Sequence, residues 1–352
     1  MNSAAADRIA KAVLYVGYML YPYRPSAVKN QQRFNFGVVY PHAFSELQKG
    51  TDPWTMHTEC LVQGSRTAQL QAQVRFLQLM ERSVQATSES SFESYASSEF
   101  HPVKALSVEG QMFYSWQEAL EREINVPATD LQTLHRYSLQ RPFHLTPSSS
   151  EEDLRDRNGR LLGRILRTQC SVDGFIEVLV QEVGEDVFKI GVSVRNITPA
   201  AEGASIDREH ALMRSLVSTH IVLGIEGGEF VSLLDPPEWL RPLATACHNE
   251  GTFPVLVGEA GQRDTILASP IILYDYPQIA PESAGDLFDG TEIDEILSLR
   301  IMTMTDEEKS EMRQSDERAR QMLERTETMP AEQFMKLHGV LRSLRPLKED
   351  SQ

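Results

Sequence analysis

Apolar side chains recur at every second position along several stretches of this chain, the spacing of half-buried strands. Phe188, Ile190, Val192 and Val194 alternate with Lys189, Gly191, Ser193 and Arg195. With the apolar run at 175–182 and the turn residues Gly184-Glu185-Asp186 between them, they predict an antiparallel hairpin with one dry and one wet face. Leu70, Ala72, Val74 and Phe76 repeat the pattern, as do Phe34, Phe36 and Val38. The segment 116–126 fits a helix face or a strand, and reads as a strand. Shorter runs at 220–225, 230–234, 254–257 and 271–274 follow, with Gly-rich 224–230 read as a hairpin turn. Many short strands separated by turn residues predict a mainly β protein, an antiparallel β-sandwich-like body.

The pattern changes near the C-terminal end. Thr305-Asp306-Glu307-Glu308 is a capping box, with Thr305 as N-cap and Glu308 three residues on. The helix it opens is expected to reach Arg325, acidic at its start and carrying Arg318, Arg320 and Arg325 towards its end, as the helix dipole favours. Its apolar positions, Met312, Ala319, Met322 and Leu323, are few, so it is expected on a surface or beneath a partner. A short helix is expected over 207–216 and an exposed Ser-rich loop over 87–98. Pro147-Ser148-Ser149-Ser150-Glu151-Glu152-Asp153 has little to bury and reads as part of a linker. The resulting division is a β-rich region at 1–146, a linker at 147–160, a β-sandwich-like region at 161–285 and an α-helical C-terminal extension at 286–352.

Charge narrows the function. The 352 residues carry 50 acidic and 34 basic side chains, a net charge of −16. Phosphate backbones and anionic lipid surfaces are held by Lys and Arg, so neither nucleic acid nor a membrane surface is an expected partner. No run reaches the roughly 18–20 apolar residues of a membrane helix, and no membrane insertion is expected. The nearest run, 12–20, is interrupted by Tyr15 and Tyr18 and lacks a cleavage site. Cys60, Cys170 and Cys247 are far apart, which fits free thiols in a reducing cytoplasm.

Candidate chemistry is sparse. The chain has no G-x-S-x-G elbow, no Walker loop and no H-E-x-x-H. Ser215, Ser218, His210 and His220 lie close in sequence without a third group to complete a site, so a small-molecule hydrolase stays an alternative. His57-x-x-Cys60 and Cys247-His248 are pairs of metal-ligating residues. Together they define a second alternative, a metal-binding or metal-delivery protein for nickel, iron or zinc; otherwise no cofactor is expected. An offset of three along a strand turns His57 and Cys60 to opposite faces, which counts against chelation. The acidic stretch of Asp275, Glu282, Asp286, Asp289, Glu292, Asp294 and Glu295 matches no EF-hand loop, and Asp289-Gly290-Thr291 reads as a turn with Thr291 capping a helix. Aromatic residues cluster with proline around Tyr15 to Tyr23, at Asp235-Pro236-Pro237-Glu238-Trp239 and at Tyr274-Asp275-Tyr276-Pro277. Such clusters plug core ends or anchor partners.

Several stretches resemble a bacterial family found with gene clusters for nickel–iron uptake hydrogenases. They are Ala12-Val13-Leu14-Tyr15, Tyr21-Pro22-Tyr23-Arg24, Thr51-Asp52-Pro53-Trp54, Thr58-Glu59-Cys60, Phe230-Val231-Ser232-Leu233-Leu234-Asp235-Pro236-Pro237, Ser269-Pro270-Ile271-Ile272-Leu273-Tyr274-Asp275-Tyr276-Pro277 and Asp289-Gly290-Thr291-Glu292. The resemblance spans most of the chain and supplies no catalytic residue. It implies an accessory role in assembling or supporting the hydrogenase. The expectation is therefore a cytoplasmic, non-enzymatic accessory protein whose partner is another protein, a hydrogenase subunit or maturation factor. Its expected contacts are Asp275, Tyr276, Asp286, Asp289 and Glu292, with Trp239 as an anchor.

Overall fold

The structure is a computed structural model describing residues 3–25, 27–31, 33–87, 100–199, 207–279 and 294–330. Among these the strands, in chain order, are β1 (Thr55–Thr87), β2 (Phe100–Val103), β3 (Ala105–Val108), β4 (Gln111–Tyr114), β5 (Trp116–Asp130), β6 (Leu139–Leu145), β7 (Ser148–Arg155), β8 (Leu161–Gln169), β9 (Val172–Gly184), β10 (Val187–Asn196), β11 (Val217–Val231), β12 (Phe253–Leu256) and β13 (Thr265–Ser269). The helices are α1 (Ser3–Leu14), α2 (His42–Leu47), α3 (Leu131–Arg136), α4 (Arg208–Leu212), α5 (Arg241–Thr245), α6 (Asp294–Met302), α7 (Asp306–Ser315) and α8 (Glu317–Glu327). Eleven strands form one antiparallel sheet, ordered β12-β13-β11-β1-β10-β9-β6 with β2, β5, β7 and β8 joined on; β3 and β4 make a separate hairpin.

The 33-residue β1 is the spine of this sheet. It pairs with β10 at its start, with β11 and β5 along its middle, and with β8 and β2 at its end. The sheet is thus continuous across the stretch expected as a linker. Ser148 to Arg155 is a strand paired with β8, although Leu154 alone of its eight residues is buried. Backbone pairing and the ion pairs Glu151–Arg164 and Glu152–Arg167, both 2.8 Å, hold it without apolar alternation. The hairpin of β9 and β10 and the strand at β5 form as their alternation predicts.

Alternate positions of β1, β9, β10 and β11 meet in one core that includes Cys60, Phe76, Ile176, Ile190 and Ile221, giving the body its sandwich-like character. On another face α1 covers Val222, Val255 and Leu267 with Ala6, Ile9 and Ala10. A separate core joins both ends of the described chain: Tyr15, Tyr18 and Met19 pack with Met312, Ala319, Met322 and Leu323. The C-terminal helix therefore already has a partner, the chain's own N-terminal segment. It is also two helices rather than one. The capping box forms at Thr305, but the helix stops at Asp316, whose side chain caps α8 through the Arg318 N–H at 2.8 Å.

Two further expectations are corrected. The residues 33–40 are not a strand: Phe34 and Gly37 have positive φ, and Val39 alone bridges to Leu216. The Gly-rich 224–230 is not a hairpin turn, because β11 runs through it. There β1 and β11 bulge together, and their register slips between Gly64 and Gln69. A Cβ on Gly64 would lie 2.7 Å from the Gly228 Cα and 3.1 Å from the Gly227 carbonyl oxygen. Backbone cannot yield as a flexible side chain can, so Gly64→Ala is expected to cost about 2–3 kcal/mol, measured as a lowered urea midpoint. The Ser-rich loop falls almost entirely on 88–99, outside the described residues. Among the described residues no helix is long and apolar enough to cross a membrane.

Candidate functional site

Asp275 follows β13 and fastens two loops to the sheet edge. One carboxylate oxygen accepts the Leu256 N–H of edge strand β12 at 2.8 Å, and the other accepts the Ser232 hydroxyl. That hydroxyl oxygen in turn accepts the N–H groups of Leu234 and Asp235 at 3.2 and 2.9 Å, closing the turn that leads to Pro236-Pro237 and Trp239. The Tyr276 N–H donates to the Leu256 carbonyl at 2.7 Å, and its ring packs on the main core. Asp275 and Tyr276, expected as contacts, are thus internal fasteners. Trp239 stands 60% exposed, and Asp286, Asp289 and Glu292 lie outside the described residues, as does the expected cap Thr291.

The same two loops present Tyr274, from one of the aromatic–proline clusters, and two aliphatic side chains, Leu234 and Ile272, outside the expected contacts. Leu234 is 55% exposed, Ile272 73% and Tyr274 83%. The segment 271–274, expected as a strand, lies beyond β13 and forms none, yet Ile272 and Tyr274 alternate with the less exposed Ile271 and Leu273. That period of two was the available signal.

His57 and Glu59 share the outer face of β1, opposite Ser193 and Gly191 of β10. His57 Nδ1 lies 2.8 Å from Ser193 Oγ, and Nε2 lies 3.7 Å from a Glu59 oxygen. Lys189 Nζ approaches the two Glu59 oxygens at 3.0 and 3.1 Å, and the His248 N–H donates to Glu59 at 2.8 Å. Burial alone would raise the Glu59 pKa; the His248 N–H and Lys189, with His57, outweigh it and hold the carboxyl below its ordinary range. Asn249 accepts from the Thr58 hydroxyl at 2.7 Å and the Glu59 N–H at 3.0 Å, while Glu250 pairs with the His57 backbone. The His248 ring consequently stands 6.1 Å from that of His57.

The two cysteines do not join them. Cys60 lies on the other face of β1, fully buried in the main core, as the strand offset requires. Cys247 packs beside Leu240 and Ala244, with Sγ 3.5 Å from the Leu243 carbonyl oxygen. Burial pushes the Cys60 thiol well up, with the Cys247 thiol adding to it, and burial and then Glu59 push Cys247 up to about 11. Both are thiols, not thiolates, at neutral pH. The four-ligand site of the metal-binding alternative does not assemble, and among the described residues no three His, Cys, Asp or Glu side chains form a ready metal cage.

The hydrolase candidates are also dispersed. His210 is exposed beside Asp207, and the Ser215 hydroxyl donates to the Ala211 carbonyl. His220 Nδ1 meets the Ser218 carbonyl oxygen at 2.7 Å and Nε2 meets Ser269 Oγ at 3.2 Å, but all three residues are buried. A nucleophile and base sealed in a core reach no substrate.

A cleft of about 780 Å³ lies between the sheet and the α7–α8 junction. Arg82 crosses it, donating to the Tyr114 carbonyl, Glu118 and the Ser315 carbonyl at 3.0, 2.9 and 2.8 Å. Arg167 pairs with Glu118 and Glu152, Arg313 with Glu327, and Arg320 with Glu317. Each of these cations already has a carboxylate, so the cleft is an ion-pair lattice joining helices to sheet. No protein-family profile matches this chain, and no curated protein does.

Proposed function

We propose that this chain is a non-enzymatic accessory protein that binds another protein through the loops fastened by Asp275. The observation that supports this reading is the exposure of Leu234, Trp239, Ile272 and Tyr274 on two loops tied to one strand edge. Large aromatic side chains on pre-ordered loops lose little entropy on binding and commonly carry most of an interface's affinity. Asp235 and Glu238 flank Trp239 on a chain of net charge −16, which favours a basic partner surface. The resemblance to a family found with nickel–iron hydrogenase clusters gives the partner class: a hydrogenase subunit or a maturation factor.

The test is capture of such a subunit by the tagged chain from its host, followed by affinity measurement with the purified pair. Trp239→Ala and Tyr274→Ala are each expected to weaken binding about 10–100-fold while leaving the thermal midpoint unchanged, because both side chains are already largely in water. Equal binding by the double variant would remove this surface from the function.

A further inference from the structure

We infer that His57 and His248 together capture one borderline divalent metal ion, such as zinc, on the outer face of β1. The pair was brought together by the fold rather than by the chain: they lie 191 positions apart in sequence, and their rings stand 6.1 Å apart with planes tilted 30°. Two imidazoles holding one ion at ~2.0–2.1 Å have ring centres roughly 5–6.5 Å apart. The observed spacing lies within that range.

Three features of the surroundings suit an ion. His57 Nδ1 is engaged by Ser193 Oγ at 2.8 Å; with that nitrogen as donor, the lone pair sits on Nε2, the arrangement that orients metal-binding histidines. Nε2 faces a Glu59 oxygen at 3.7 Å, too far for a hydrogen bond and beside a carboxylate that supplies negative charge. Gly191 opposite Glu59 leaves room: a Cβ there would lie 3.5 Å from His57 Cε1 and 3.9 Å from Glu59 Cγ. The His248 backbone is anchored by its own N–H on Glu59, while its ring is exposed and free to turn towards an ion. With two side-chain ligands the ion keeps open positions for water or a partner's group. Imidazole favours zinc, copper and nickel over magnesium or calcium.

Calorimetric titration of the untagged, chelator-treated full chain with zinc chloride tests this directly. One equivalent is expected to bind. His57→Ala and His248→Ala are each expected to weaken it at least 10-fold, while Cys247→Ser leaves it unchanged. Lys189→Met, which removes the competing cation from Glu59, is expected to tighten binding, and that gain cannot come from misfolding. Absence of zinc binding, binding that survives loss of both histidines, or dependence on Cys247 would overturn the inference.

Discussion

Arg33→Met is expected to destabilise the fold by about 3–5 kcal/mol, the cost of removing one partner from a buried charged network. Arg33 is 5% exposed, its guanidinium 3.5 Å over the Trp116 ring and 4.6 Å from that of Phe34. It donates to the Tyr18 and Gln117 carbonyls, both at 2.9 Å. Burial draws its pKa down to about 10, while Tyr18 and Asp316 pull it back, so it stays charged at neutral pH. Asp316 is itself buried and accepts the Tyr18 hydroxyl at 2.9 Å. Methionine fills the space but strands two carbonyls and removes the positive charge near the Asp316 carboxylate. Urea unfolding followed by circular dichroism reads the loss, and limited proteolysis should find the first new cuts within α7 and α8. A loss under 1 kcal/mol would mean that Arg33 does not hold the two chain ends together.

Acidification between pH 6.5 and 4 is expected to remove about 3 kcal/mol through His220 alone. Burial drives its pKa down to about 4; the Ser218 carbonyl opposes that, and Arg75, its cross-strand neighbour, adds to it. The unfolded chain binds this proton near pH 6.5, whereas the native chain refuses it until about pH 4. Stability is therefore full above the unfolded pKa and falls as pH drops through that window. His220→Asn keeps a polar side chain without titration, so its stability should vary less over the same window. Identical slopes for both proteins would contradict the assignment.

Local pattern made much of the fold legible. Alternation gave the β9–β10 hairpin and β5, and side-chain chemistry gave the cap at Thr305. What stayed hidden depends on partners distant in sequence. Strand β7 shows no alternation, because its partner supplies backbone bonds and two arginines rather than a dry surface. Met312, Ala319, Met322 and Leu323 looked like too narrow a stripe until Tyr15 and Tyr18, some 300 residues earlier, covered it. The site followed the same rule. Exposure at Trp239 could be expected from its proline-rich turn, but the role of Asp275 as a fastener depends on Ser232 and Leu256. The opposed faces of His57 and Cys60 follow from strand geometry, whereas the approach of His248 to His57 requires the Asn249 and Glu250 contacts.

The length of β1 has a consequence during synthesis. Its first residues pair with β10 and one edge of its middle with β11, so those edges leave the ribosome long before their two neighbours exist, although β2 and β5 follow sooner. At ordinary translation rates roughly 10–30 s pass between completion of β1 and completion of β11. For that interval a long strand has unpaired edges, the condition that invites aggregation. Its outer face alternates Gln63, Gln69, Gln71, Gln73 and Arg75 with the apolar positions, which keeps one side wet while the nascent chain waits. The other side must be shielded, so this protein's yield should depend on chaperone supply more than on its final stability.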